Sequence, residues 1–126
     1  MKNIFIIILL CFLPKFTLAE NFDLKKIIDL KDPWGSSFIN ENEIIITEKE
    51  GKIKIVNINS NKITEIKHNL KYLVDGQGGL LDILFKEEFI YISYSEDRGD
   101  RKSSTSIARA NSVSYTHLTL PTTMLV

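Results

Sequence analysis

An all-β fold is predicted by three features of the sequence. Ile-rich segments alternate apolar and polar residues, short connections carry Gly or Asn, and no stretch between Glu20 and Asn111 keeps helical periodicity over three turns. Ser36 to Ile39 reads as a first strand, followed by a turn at Asn40-Glu41-Asn42. NEIIITE (Asn42 to Glu48) and KIKIVNI (Lys52 to Ile58) are then joined by Lys49-Glu50-Gly51, which predicts a hairpin. In the second of these, Ile53, Ile55 and Ile58 alternate imperfectly with Lys52, Lys54 and Asn57, the pattern of a half-buried face. Asn59-Ser60-Asn61 marks a turn, and KITEIK (Lys62 to Lys67) alternates again. About four short antiparallel strands in some 35 residues are close to one blade of a β-propeller.

The pattern restarts after Tyr72. LLDILF (Leu80 to Phe85) and FIYISYS (Phe89 to Ser95) are two further strands, the latter with Tyr91, Ser93 and Ser95 on one face. SSTSIARA (Ser103 to Ala110) follows the polar loop Glu96 to Arg101, so a second blade is under way. Such units cannot bury their faces alone, because each sheet packs against its neighbours.

Both ends of the chain stand apart from this pattern. In MKNIFIIILLCFLPKFTLAE, Lys2 precedes an apolar run from Ile4 to Leu13, then Pro14, Lys15 and Thr17-Leu18-Ala19, the layout of a secretory signal peptide cleaved after Ala19. The run is too short for a bilayer core about 30 Å thick, which needs roughly 20 apolar residues. Cys11 follows Leu10 rather than a small residue, so it does not read as a lipid-attachment site and leaves with the leader. At the other end, VSYTHLTLPTT (Val113 to Thr123) resembles the translation of a transposase sequencing adapter read in frame. The expected organisation is therefore a leader at 1–19, blade sequence at 20–111, and a non-native tail at 112–126.

Composition narrows the function classes. The chain has 16 basic and 16 acidic residues, and loss of Lys2 and Lys15 with the leader leaves 14 basic ones. Counterion-release binding to nucleic acid needs a clustered basic excess, so no nucleic-acid partner is expected, and no membrane association once the leader is gone. One cysteine rules out an intramolecular disulfide or a multi-thiolate metal site.

Candidate chemistry is sparse. His68, at the end of KITEIKH, has no neighbouring motif to orient it and reads as a solvated or satisfied strand-edge side chain. Ser36, Ser37, Ser103, Ser104 and Ser106 lack His/Asp partners at readable spacing. Asp97-Arg98-Gly99-Asp100 lacks the full ligand series of a calcium loop, and a hairpin tip explains it at least as well. The unusual segment is Val74-Asp75-Gly76-Gln77-Gly78-Gly79-Leu80-Leu81-Asp82. Three glycines around one Gln place an amide on backbone that tolerates positive φ and close approach, and Gln offers donors and acceptors suited to sugar hydroxyls. A tight crossing between blades, with glycine serving only geometry, accounts for it slightly better. It is not a phosphate loop, since the Lys-Ser/Thr ending and the following helix are missing.

Taken in order, DPWG (Asp32 to Gly35), IITEKEGKIKIV (Ile45 to Val56), DGQGGLLDI (Asp75 to Ile83), YISYSE (Tyr91 to Glu96) and TSIARA (Thr105 to Ala110) resemble the pyrroloquinoline quinone-dependent soluble aldose sugar dehydrogenases of the glucose/sorbosone dehydrogenase family. The resemblance implies a six-bladed β-propeller, of which this chain holds about one and a half N-terminal blades. It implies a periplasmic enzyme that oxidises the anomeric carbon of an aldose to a lactone, with the quinone and calcium as cofactors and an external electron acceptor. Gln77 matches the family's substrate-facing glutamine, and Asp75, Gly76, Gly78 and Gly79 match the loop that presents it. The family's catalytic histidine, quinone-clamping Arg and Lys residues and calcium ligands fall beyond Asn111, so no catalytic, cofactor-binding or metal residue is assigned here, and neither His68 nor His117 is the base. One departure is Asn40-Glu41-Asn42, where a Pro-Asp-Gly type of turn is usual. Three classes stay open: part of a quinone-dependent sugar dehydrogenase, a non-catalytic secreted propeller module that binds carbohydrate or protein, and a small secreted β-domain with a genuine tail.

Overall fold

A computed structural model describes residues 22–111, 117–118 and 122–125. The expected leader and much of the expected tail lie outside them. The described residues contain no helix and form two sheets, which bears out the all-β expectation.

The first blade consists of β1 (Pro33–Asn40), β2 (Glu43–Glu48), β3 (Lys52–Asn57) and β4 (Ile63–His68), paired antiparallel in that order. The second consists of β5 (Leu80–Lys86), β6 (Phe89–Asp97) and β7 (Ser103–Asn111). Two short strands from the tail complete the sheets: β8 (His117–Leu118) lies parallel to β4, and β9 (Thr122–Leu125) lies antiparallel to β7. Those pairings are backbone ladders on open edges, which any extended segment can supply.

The turns obey local chemistry. Gly51 closes the β2–β3 hairpin at φ 102°, its N–H donating to the Glu48 carbonyl at 2.9 Å. The β5–β6 turn is tighter, because Lys86 pairs directly with Phe89 and both intervening residues, Glu87 and Glu88, have positive φ. That is the type I′ pattern, made here without the Asn-Gly it favours.

One apolar cluster spans both blades. Ile45, Ile53, Ile55 and Ile66 of the first pack with Leu80, Ile83, Ile90, Ile92, Tyr94, Ala108 and Ala110 of the second. Along β6, Ile90, Ile92 and Tyr94 are buried while Tyr91, Ser93 and Ser95 alternate with them on the other face, as the sequence predicts. The blades converge at their first strands. A side chain at Gly35 in β1 would sit 2.6 Å from the Asp82 Cα in β5, and the Phe85 amide of β5 donates to Ser37 Oγ of β1 at 3.0 Å. Thr47 Oγ1 ties this seam, accepting from the Gly35 N–H at 3.0 Å and donating to the Leu81 carbonyl. The sheets thus fan outward from the β1/β5 edge.

Candidate functional site

Because the strands alternate in direction, one end of the two-blade unit collects the entry to β1, the 49–51 turn, the 69–79 linker and the 98–102 loop. Cross-contacts confirm the gathering. Lys49 N–H donates to the Asp32 carbonyl at 3.0 Å, Tyr72 Oη to the Glu50 carbonyl at 3.1 Å, and Arg101 pairs with Asp75 at 3.1 Å. Gln77 lies at this end, two glycines before β5 begins at Leu80.

The linker is held along its length. Tyr72 bridges Glu96 beyond the point where β5 leaves β6, so the linker takes over pairing with the end of that strand. Ser95 clasps both ends of the glycine loop: its carbonyl accepts from the Leu73 N–H at 2.9 Å and its own N–H donates to the Gly79 carbonyl at 2.9 Å. Between those points, Gly78 N–H donates to the Asp75 carbonyl at 2.7 Å, closing a turn with Gly76 and Gln77 at its centre. Gly76 has φ 54°, and Gln77 is not among the residues with positive φ, the φ pattern of a type II′ turn.

Each neighbouring glycine has its own reason. Gly76 meets nothing and is required by conformation. At Gly78 a Cβ would approach the Leu73 and Asp75 carbonyls to 2.9 Å. Gly79 combines φ 137° with a Cβ position 2.2 Å from the Lys49 carbonyl oxygen. Each of these glycines thus serves the local geometry of the crossing between the blades. Gln77 is a separate matter. Its residue is exposed, and its amide makes no hydrogen bond among the described residues, so the closed turn presents an unengaged donor and acceptor to solvent.

The other candidates resolve differently. His68 is oriented after all: Nε2 lies 2.6 Å from the Gly51 carbonyl, Nδ1 accepts from the Leu70 N–H at 3.3 Å, and the ring stands 5.8 Å from that of Tyr72. The partner at Gly51 is seventeen residues away, which is why no local motif announces it. With both nitrogens engaged on backbone, His68 fastens the outer strand to the hairpin turn. A cleft of about 350 Å³ beside it, lined by Glu65, Lys67, His68, Leu70 and Tyr72, does not include Gln77. Ser106 is fully buried and donates to Glu96 at 2.6 Å, while Ser37 serves the β1/β5 seam. The Asp97 carboxylate accepts from the Gly99 N–H at 2.8 Å, and Arg98 and Lys102 close the hairpin tip through backbone bonds.

Sequence reasoning missed the charges at this end. Glu48 is 2% exposed, pairs with Lys54 Nζ at 2.7 Å and accepts the Lys31 N–H at 2.8 Å. Burial pushes its carboxyl upward, but those bonds and the Lys54 charge outweigh it and hold the carboxyl below its ordinary value. Lys31 Nζ binds Glu50, which raises the ammonium, and Lys49 Nζ donates to the Gly76 carbonyl. The Lys31, Lys49 and Arg101 cations at this end are thus occupied by protein acceptors. Among the described residues no three or more His, Cys, Asp or Glu side chains come together as a metal site. These residues do not fit the holding of an anionic quinone or of calcium. What they fit is hydrogen bonding to a neutral polar ligand through Gln77.

The sequence profile of the glucose/sorbosone dehydrogenase family matches residues 30–124. No curated protein sequence matches the chain. Among solved structures, a glucose dehydrogenase is 24% identical with TM-score 0.67, over 75% of this chain and 30% of its own. The soluble aldose sugar dehydrogenase from Escherichia coli, in its apo-form, is 23% identical with TM-score 0.64, over 76% and 30%. The aldose sugar dehydrogenase from Streptomyces coelicolor, bound to PQQ, is 17% identical with TM-score 0.63, over 81% and 33%. At these identities the likeness is one of fold, and the chain spans about a third or less of each structure's length.

Proposed function

Because this chain belongs to the glucose/sorbosone dehydrogenase family, we propose that the whole protein is a sugar dehydrogenase that oxidises the anomeric carbon of an aldose to the lactone. Pyrroloquinoline quinone with calcium is its proposed cofactor pair, an external acceptor takes the electrons, and the periplasm is its proposed location. The PQQ-bound relative supports the quinone, and the leader-like layout of residues 1–19 supports export. The observation that carries the reading is the exposed, unengaged amide of Gln77, held on a closed turn inside the matched region. Residues 20–111 supply substrate binding in this scheme, and no oxidation step is assigned to them.

The test is steady-state dye reduction by the whole protein supplied with the quinone and calcium, with D-glucose and other aldoses. Turnover is expected, whereas sugar binding without turnover would favour a non-catalytic module. Gln77→Ala removes one hydrogen bond to a neutral hydroxyl, worth about 0.5–1.5 kcal/mol, or roughly a two- to twelve-fold loss in kcat/KM that appears mainly in KM. Unchanged kinetics for every sugar would remove Gln77 from the site, and a fall of about a thousand-fold in kcat would make its role catalytic.

A further inference from the structure

We propose that Lys49 is a positioning residue for the Gln77 amide: its ammonium, donated to the Gly76 carbonyl, fixes the orientation of the peptide that carries Gln77. The inference rests on Gln77 being the sugar-binding residue. Turns of type II′ and type I′ share a closing hydrogen bond and differ by a half-rotation of the central peptide. Here that peptide joins Gly76 to Gln77. Rotating it would carry the Gly76 carbonyl to the other side of the turn, move Gln77 to positive φ and re-aim its side chain. The Gly76 carbonyl is the group that Lys49 holds.

The root of that side chain does not move independently. Lys49 N–H donates to the Asp32 carbonyl at 3.0 Å, its carbonyl accepts from the Leu80 N–H at 3.2 Å, and Gly79 packs against the same carbonyl. Lys49 is thereby anchored in the first blade while the residue it steers heads the second. The neighbouring cations act elsewhere, Lys31 on the Glu50 carboxylate and Arg101 on that of Asp75. Among the described residues, Lys49 is the cation that grips the backbone of this turn.

The test is a double-mutant cycle in the whole protein, read by calorimetric binding of D-glucose and by KM and kcat, with melting temperature as a folding control. Lys49→Met keeps the apolar stem and removes the donor. It is expected to weaken glucose binding by no more than Gln77→Ala does, about two- to twelve-fold, with kcat unchanged. In the Gln77→Ala background, Lys49→Met should then add less than about 1.5-fold, the signature of two residues acting as one. Lys49→Arg, which retains a cationic donor, should restore binding to within about two-fold. Equal effects of Lys49→Met in both backgrounds would overturn the proposal while leaving Gln77 in the site. A Lys49→Met variant with native affinity beside a weakened Gln77→Ala would do the same. No effect of Gln77→Ala would overturn the underlying reading and the proposal with it.

Discussion

Substituting alanine at Gly79 and at Gly76 separates space from conformation within one loop. At Gly79 the added methyl meets the Lys49 carbonyl oxygen at 2.2 Å on a backbone with φ 137°. A residue with a Cβ in so sparsely populated a region costs roughly 1–3 kcal/mol. The carbonyl it displaces also accepts the Leu80 N–H at 3.2 Å, and losing that bond costs about 1 kcal/mol more. Gly79→Ala is therefore expected to destabilise by about 2–4 kcal/mol. At Gly76, where φ is 54° and a methyl meets nothing, the cost is that of the positive-φ turn conformation alone, roughly 1–3 kcal/mol with no bond lost. Urea unfolding of the two variants of the whole protein measures the difference, and amide exchange at Leu80 should accelerate only in Gly79→Ala. A loss in Gly79→Ala no larger than in Gly76→Ala would refute the assignment of Gly79 to the seam between blades.

Three further outcomes follow from the same geometry. Because the Glu48 carboxyl sits below its ordinary value of 4.5 in the folded protein, it contributes stability above that value and loses it as pH falls through the folded value. Urea midpoints measured from about pH 6 to pH 3 should drop less steeply in Glu48→Gln than in the native protein, and parallel curves would contradict this. Replacing Glu87-Glu88 by Asn-Gly relieves two positive-φ positions of the type I′ turn and should stabilise by roughly 1–2 kcal/mol in urea, with unchanged activity. Mass spectrometry of the exported protein should find Glu20 at its N-terminus, and retention of Met1 to Ala19 would refute cleavage there.

The strands were legible because each hairpin pairs neighbours in sequence and alternation reports one buried face directly. Boundaries moved most where a bulge intervenes. β1 begins at Pro33 rather than Ser36 because its register with β2 shifts between those residues. Tertiary partnerships were not legible. Thr47 in NEIIITE looks like an ordinary strand threonine until β1 and β5 converge on its hydroxyl. Nothing local marks Glu48 for burial, which its diagonal neighbour Lys54 and the Lys31 amide allow. At the site, the glycine pattern pointed to the right loop, but Lys49 gave no signal, because its target is a backbone carbonyl twenty-seven residues later.

The clasp at Ser95 sets a rule for how this loop can change. With both ends of the stretch from Leu73 to Gly79 bonded to one residue, the span between them is fixed, so a deletion pulls on the Leu73 or the Gly79 bond while an insertion has to be taken up in the turn between them. Val74, Asp75 and Gln77 are exposed, so their side chains can be exchanged without disturbing the core. At its present length the loop therefore behaves as a cassette held at both ends. A library that varies positions 74, 75 and 77 at constant length would sample new ligand contacts on an intact scaffold, whereas one that varies loop length would also rebuild the turn closed by the Gly78 N–H and the Asp75 carbonyl.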